Sequence, residues 1–115
     1  MGLDLYILKA EKEEDFENNS FENIISYGGS AAYLTRNLIF EYLNKLDYEQ
    51  EVIISYSQLK ELLYFLVKKI ESLDNALIGH QLAVIWVFIC GIAGEMAICE
   101  RANNKEYKYM IINSY

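Results

Sequence analysis

Leu82 to Cys99 reads LAVIWVFICGIAGEMAIC, a stretch in which Glu95 is the only charge. A helix apolar on every side has no face suited to water, so the segment is expected to be a central core helix, a subunit contact or a membrane span. Only Leu82 to Gly94 is free of charge, which falls short of the roughly 20 apolar residues a bilayer demands. A glutamate near the centre of a span costs about 2.5 kcal/mol or more. Lys68 and Lys69 precede the stretch and Arg101, Lys105 and Lys108 follow it, so the flanks supply no charge asymmetry to orient an insertion. The expectation is a helix hidden by protein, with a membrane anchor at residues 82–99 as the alternative.

Small residues recur at four-residue spacing in this helix: Gly79 and Ala83, Cys90 and Gly94, Ala93 and Ala97. That spacing lets another helix approach closely, either within one chain or across a symmetric dimer axis. Working outward, Leu59, Leu62, Leu63, Leu66, Val67, Ile70 and Leu73 trace a wide apolar stripe, with Lys60, Glu61, Lys68, Lys69 and Glu71 on the other face. The pattern predicts an amphipathic helix over about 57–73. Ser55 followed three residues later by Gln58 resembles a capping box at its start, just after the β-branched run Val52 to Ile54. Upstream, Gly28 and Gly29 break the chain and Ser30 is placed to cap a helix of about 16 residues. Its Leu34, Leu38, Ile39, Tyr42, Leu43 and Leu46 share a side, while Arg36, Asn37, Glu41, Asn44 and Lys45 face away.

Both ends read as strands. Leu3, Leu5 and Ile7 alternate with Asp4, Tyr6 and Leu8 over about residues 2–9, and the aromatic and β-branched tail predicts a closing strand near 106–112 that pairs with it. Between them, residues 11–23 read as a loop with at most one helical turn. The chain is expected to form a single α+β domain over residues 1–115, with three main helices, a small three-stranded antiparallel sheet and the last helix central and apolar. Two amphipathic helices and such a sheet do not cover a helix apolar all round, which favours a homodimer through residues 79–99.

The net charge of −7 is concentrated. Glu11, Glu13, Glu14, Asp15, Glu17 and Glu22 stand against Lys12 alone, placing −5 of it on residues 11–23. No basic patch is present to meet a phosphate backbone, so direct nucleic-acid binding is not expected and a basic protein surface is the matching partner. Tyr27, Tyr33, Tyr48, Tyr56, Tyr107, Tyr109 and Tyr115 fall outside the clear stripes, and tyrosine gives large contact area at low entropic cost. The candidate partner-binding set is therefore Glu11, Glu13, Glu14, Asp15, Glu17, Glu22, Tyr27 and Tyr33. Cys90 and Cys99 lie on nearly opposite sides of one helix and cannot bridge, and no basic, apolar leader opens the chain, so a reducing cytoplasm is expected.

Chemistry is weakly signalled. His80 is the only histidine and has no carboxylate within four residues. Glu95 with Cys99 is the one polar pair of the apolar helix, and the plain expectation is that Glu95 faces solvent or pairs with Arg101 or Tyr107. Gly28-Gly29-Ser30 lacks the lysine of a phosphate loop and the third glycine of a dinucleotide fingerprint, and reads as a turn. No catalytic residue, metal ligand or cofactor is assigned.

The opening Met1-Gly2-Leu3-Asp4-Leu5-Tyr6-Ile7 resembles the start of small phage and prophage proteins that begin MGLDMYL. Tyr27 before a short helix and Val52 to Leu63, VIISYSQLKELL, are similar to later parts of that group. The chain departs where those proteins carry a Trp-Arg pair and a histidine, since Gly28, Gly29 and an apolar helix stand there instead. The resemblance implies an origin in a phage or mobile element and carries no functional residues with it. By analogy with small acidic phage proteins, including anti-CRISPR inhibitors that imitate DNA charge, the expected role is a non-enzymatic inhibitor of a host defence nuclease.

Overall fold

The computed structural model describes residues 4–43, 51–73 and 79–114. Their elements run β1 (Asp4–Ala10), α1 (Glu14–Glu17), β2 (Glu22–Gly28), a 3-10 turn (Ser30–Ala32), α2 (Tyr33–Leu43), β3 (Glu51–Ser55), α3 (Tyr56–Ser72), α4 (Gly79–Ala102) and β4 (Lys108–Ser114). The architecture is α+β, with one antiparallel sheet in the order β2-β1-β4-β3 and three long helices, of which α4 is central and apolar. The first and last strands pair from Asp4↔Ser114 to Ala10↔Lys108. The sheet has four strands rather than the expected three. Glu22 and Asn23 hide the apolar alternation of β2, and its register with β1 slips between Ile7 and Leu8.

Period-two alternation sorts the sheet into two faces. Leu5, Ile7, Ile25, Ile54, Tyr109 and Ile111 are buried with the three long helices in the main core. On the reverse face Leu8, Ala10 and Met110 form a smaller cluster with Phe16 of α1. Both faces are thus covered in part, which explains why the tail YMII alternates poorly.

The helix starts follow different rules. Ser55 accepts from Gln58 N while the Gln58 side chain accepts from Ser55 N, the reciprocal capping box expected for α3. Ser55→Ala is expected to lower stability by about 1 kcal/mol in urea unfolding, because a helix-terminal donor loses its acceptor. Ser30, by contrast, caps nothing: Gly29, at φ +120°, leads into the 3-10 turn and no side chain caps it. Arg36 also departs from expectation, being 7% exposed. It lies with its guanidinium 5.3 Å from the Tyr33 ring centroid and its Nε donating to Asn37 Oδ1 at 2.9 Å. Packing of α2 against both α3 and α4 accounts for this wider burial. Leu46, Asn44 and Lys45 of the expected helix lie outside the described residues.

The last helix ends where Asn103 turns left-handed at φ 52°. Asn103 N donates to Glu100 O and Asn104 N to Cys99 O, the paired bonds of a Schellman stop. Gly91 is needed for packing, because a Cβ there would lie 2.5 Å from Ile25 Cγ1 on β2. The burial of α4 is one-sided. Val84, Ile85, Phe88, Ile89, Ile92, Glu95 and Cys99 face inward, whereas Ala83, Trp86, Val87, Cys90, Ala93, Gly94, Ala97 and Ile98 are exposed. By length and composition this helix is also long and apolar enough to cross a membrane.

Candidate functional site

Glu95 does not face solvent, and its partners are neither Arg101 nor Tyr107. It is 5% exposed and enters the space between α4 and the β1–β4 pair. Lys9 and Tyr109 are directly opposed across those strands, so their side chains share one face and meet the helix together. Lys9 Nζ lies 2.9 Å from Glu95 Oε2, Tyr109 Oη donates to the same oxygen at 2.7 Å, and Cys99 Sγ donates to it at 3.2 Å. Lys9 also stands 4.1 Å from the Tyr107 ring centroid. The sequence pairs Glu95 with Cys99 by helical spacing, but Lys9 and Tyr109 come from the two ends of the chain and only the strand pairing reveals them.

This cluster has the chemistry of a closed ion pair. Burial pushes the Cys99 thiol up from its ordinary pKa, and its bond to Glu95 adds to the effect. A nucleophilic thiol needs the opposite shift. Burial and the bonds to Cys99 and Glu95 raise Tyr109 far more. Burial opposes the charge on Lys9, yet Glu95 outweighs it and leaves the ammonium pKa raised. His80 begins the same helix and is exposed. Fifteen residues separate it from Glu95, about 22 Å along the axis, so the arrangement does not bring His80, Glu95 and Cys99 together. Among the described residues, no three His, Cys, Asp or Glu side chains are grouped to hold a metal ion.

Raised pKa values make alkaline stability a test. Burial and Glu61 raise Tyr42 to about 12, and burial and Glu100 raise Tyr56 to about 12. A group whose folded pKa is raised contributes fully below its unfolded pKa and loses that contribution as pH climbs through the folded value. For these tyrosines the window opens at the unfolded value of 10.0 and closes at about 12. Lys9 acts in the same direction above 10.5. Thermal unfolding is therefore expected to be flat in pH between about 7 and 9 and to fall steeply above about 10.

The open surface lies on the reverse face of the sheet. Leu8 of β1, Met110 of β4 and Ile53 of β3 are register partners and make one apolar row across three strands. Ile112, Phe16 and Phe21 extend it, with the two phenyl rings 6.3 Å apart. These residues line a groove of about 620 Å³ whose charged lining groups, among the described residues, are Glu13, Glu14, Glu17 and Glu51. Ile53 at 37% and Phe21 at 38% exposure leave its floor open to solvent.

The expected binding residues divide. Glu13, Glu14 and Glu17 border this groove, while Glu11, Asp15 and Glu22 line a neighbouring hollow of about 580 Å³ together with Lys9 and Tyr107. Asp15 partly serves its own turn, accepting from Lys12 N. Tyr27 and Tyr33 are not brought to the carboxylates. Both are half-buried against the main core, and Tyr27 pairs with Leu5 while Glu22 pairs with Lys9, about 17 Å apart along the strand. Glu51 and the apolar floor were not among the sequence candidates; the missing alternation at Leu8 and in YMII was their only signal. Comparison with protein-family models, with curated proteins and with solved structures finds no match.

Proposed function

We propose that this chain is a non-enzymatic binding protein that seats an apolar side chain of a partner on the reverse face of its sheet, while basic residues of that partner meet the carboxylates around it. The observation that supports this most is the composition of the groove: an open row of Leu8, Met110 and Ile53 bordered by Glu13, Glu14, Glu17 and Glu51, with no cation among the described residues that line it. Exposed ion pairs contribute about 0.2–1 kcal/mol each, so the carboxylates act chiefly on encounter rate and choice of partner. Affinity comes from the apolar anchor, since desolvated side chains in a pocket dominate binding energy. The same charge disfavours a phosphate backbone. With the resemblance to phage proteins, a host defence nuclease that presents a basic surface is the partner class this reading favours, in the cytoplasm of a bacterial host.

Affinity capture from host lysate tests it. The triple variant Glu13→Gln, Glu14→Gln, Glu17→Gln is expected to lose at least about tenfold of the captured partner, and wild-type capture to weaken as salt rises. Equal capture by variant and wild type would remove the acidic segment from the mechanism. A membrane-associated role is the second reading and rests on the length and apolarity of α4. A transmembrane α4 would draw Glu95 away from Lys9 and Tyr109 and carry it into lipid. Recovery of the protein without detergent excludes that role.

A further inference from the structure

The outward face of α4 is built for contact with a helix, and the clearest sign is Gly94. A glycine in mid-helix is disfavoured against alanine, and natural helices keep one where another atom needs the space. Gly91 has such a reason inside the chain, because a Cβ would strike Ile25. Gly94 has none: a Cβ there would meet nothing within 4 Å. It stands on the exposed side of the helix with Ala83, Trp86, Val87, Cys90, Ala93, Ala97 and Ile98. From Ala83 to Ile98 this face runs about 22 Å without a charged side chain.

The area is suited to a dimer. Trp86 and Val87 are 45% exposed and Ile98 is 60% exposed, with small exposed residues between them. They leave on the order of 500 Å² of apolar surface, near the top of what a monomer ordinarily shows. That is more than half of the roughly 800 Å² each partner buries in a standard interface.

We infer that two copies of this chain associate through the outward faces of α4, antiparallel and centred at the level of Ile92. In that register Cys90 lies against the partner's Gly94 at the centre, while Trp86 flanks the partner's Ala97 and Val87 flanks the partner's Ile98. The contacts at Gly94 and Ala97 then set a small residue opposite a larger one, and the helices approach most closely at Gly94. A parallel pair would instead oppose the bulky Trp86 to its own copy and hold the helices apart there. An interfacial lipid contact fits the surface less well, because such helices carry Lys and Arg on their polar faces and this chain has a net charge of −7.

Sedimentation velocity and light scattering without detergent, over about 1–100 µM, test the inference, a range set for dimers of micromolar Kd. The expected wild-type mass is twice 13.4 kDa. Gly94→Leu, which meets open space in the monomer, is expected to give the single mass with an unchanged circular-dichroism spectrum. Trp86→Glu, already exposed, provides a second monomeric variant. In the antiparallel arrangement the two Cys90 Cα atoms lie about 7–8 Å apart, at the edge of disulfide reach and well within that of a short bismaleimide, which is expected to link them. A wild-type monomer throughout, a Gly94→Leu dimer, or partition of the wild type into phosphatidylcholine–phosphatidylglycerol vesicles would each overturn the inference.

Discussion

Lys9→Met is expected to lower the stability of the fold by about 3–5 kcal/mol, the largest loss foreseen for a single charge. Methionine nearly keeps the length of the side chain but removes the ammonium 2.9 Å from Glu95 Oε2. The carboxylate, 5% exposed, then keeps only the hydroxyl of Tyr109 and the thiol of Cys99 as donors. Stranding a charge in low dielectric costs far more than the intact pair contributes. The double variant Lys9→Met, Glu95→Gln is therefore expected to recover most of the loss, since an amide oxygen still accepts from Tyr109 and carries no charge. Urea unfolding at pH 7 followed by circular dichroism measures both. Equal losses in the single and double variants would show that packing at Lys9 matters rather than charge.

Phe88→Ala and Trp86→Ala, two residues apart on α4, are expected to behave in opposite ways. Phe88 is fully buried and Trp86 is 45% exposed. Truncating a buried phenylalanine removes its transfer free energy and leaves a cavity, costing about 3–5 kcal/mol. That is a large fraction of the roughly 5–15 kcal/mol by which domains of this kind are stable. Trp86→Ala is expected to change monomer stability by less than about 0.5 kcal/mol, because little around it is lost. Measured in a Gly94→Leu background, which removes the proposed association from the comparison, the contrast reports the facing of the helix alone. Comparable losses at both positions would contradict the one-sided burial of α4.

These two expectations mark where the sequence was legible. The stripe from Leu59 to Leu73 and the box of Ser55 with Gln58 were readable because helical periodicity and capping are local. The first and last strands are readable for the same reason, although their pairing is fixed by the register of Lys9 against Tyr109. Strand β2 was missed because its exposed Glu22 and Asn23 and its bulge break the period. Arg36 was assigned outward by its charge, yet α2 is packed by two helices and stacks the guanidinium beside Tyr33.

The stretch from Leu82 to Cys99 was read as apolar all round, and hydropathy alone could say no more. Which half meets the sheet is decided by Gly91 against Ile25 and by Glu95 against Lys9, both contacts distant in sequence. The same limit applies to the groove on the reverse face of the sheet. Its Glu13, Glu14 and Glu17 were visible as a charge run, whereas its floor joins residues from β1, β3 and β4 that no window of sequence brings together.

Hydrogen exchange of the free protein and of its complex with the captured partner locates the surface that binds. Binding is expected to slow exchange in residues 13–21 and in β3, around the row of Leu8, Met110 and Ile53. Protection confined to other surfaces, with residues 13–21 exchanging as in the free protein, would contradict it.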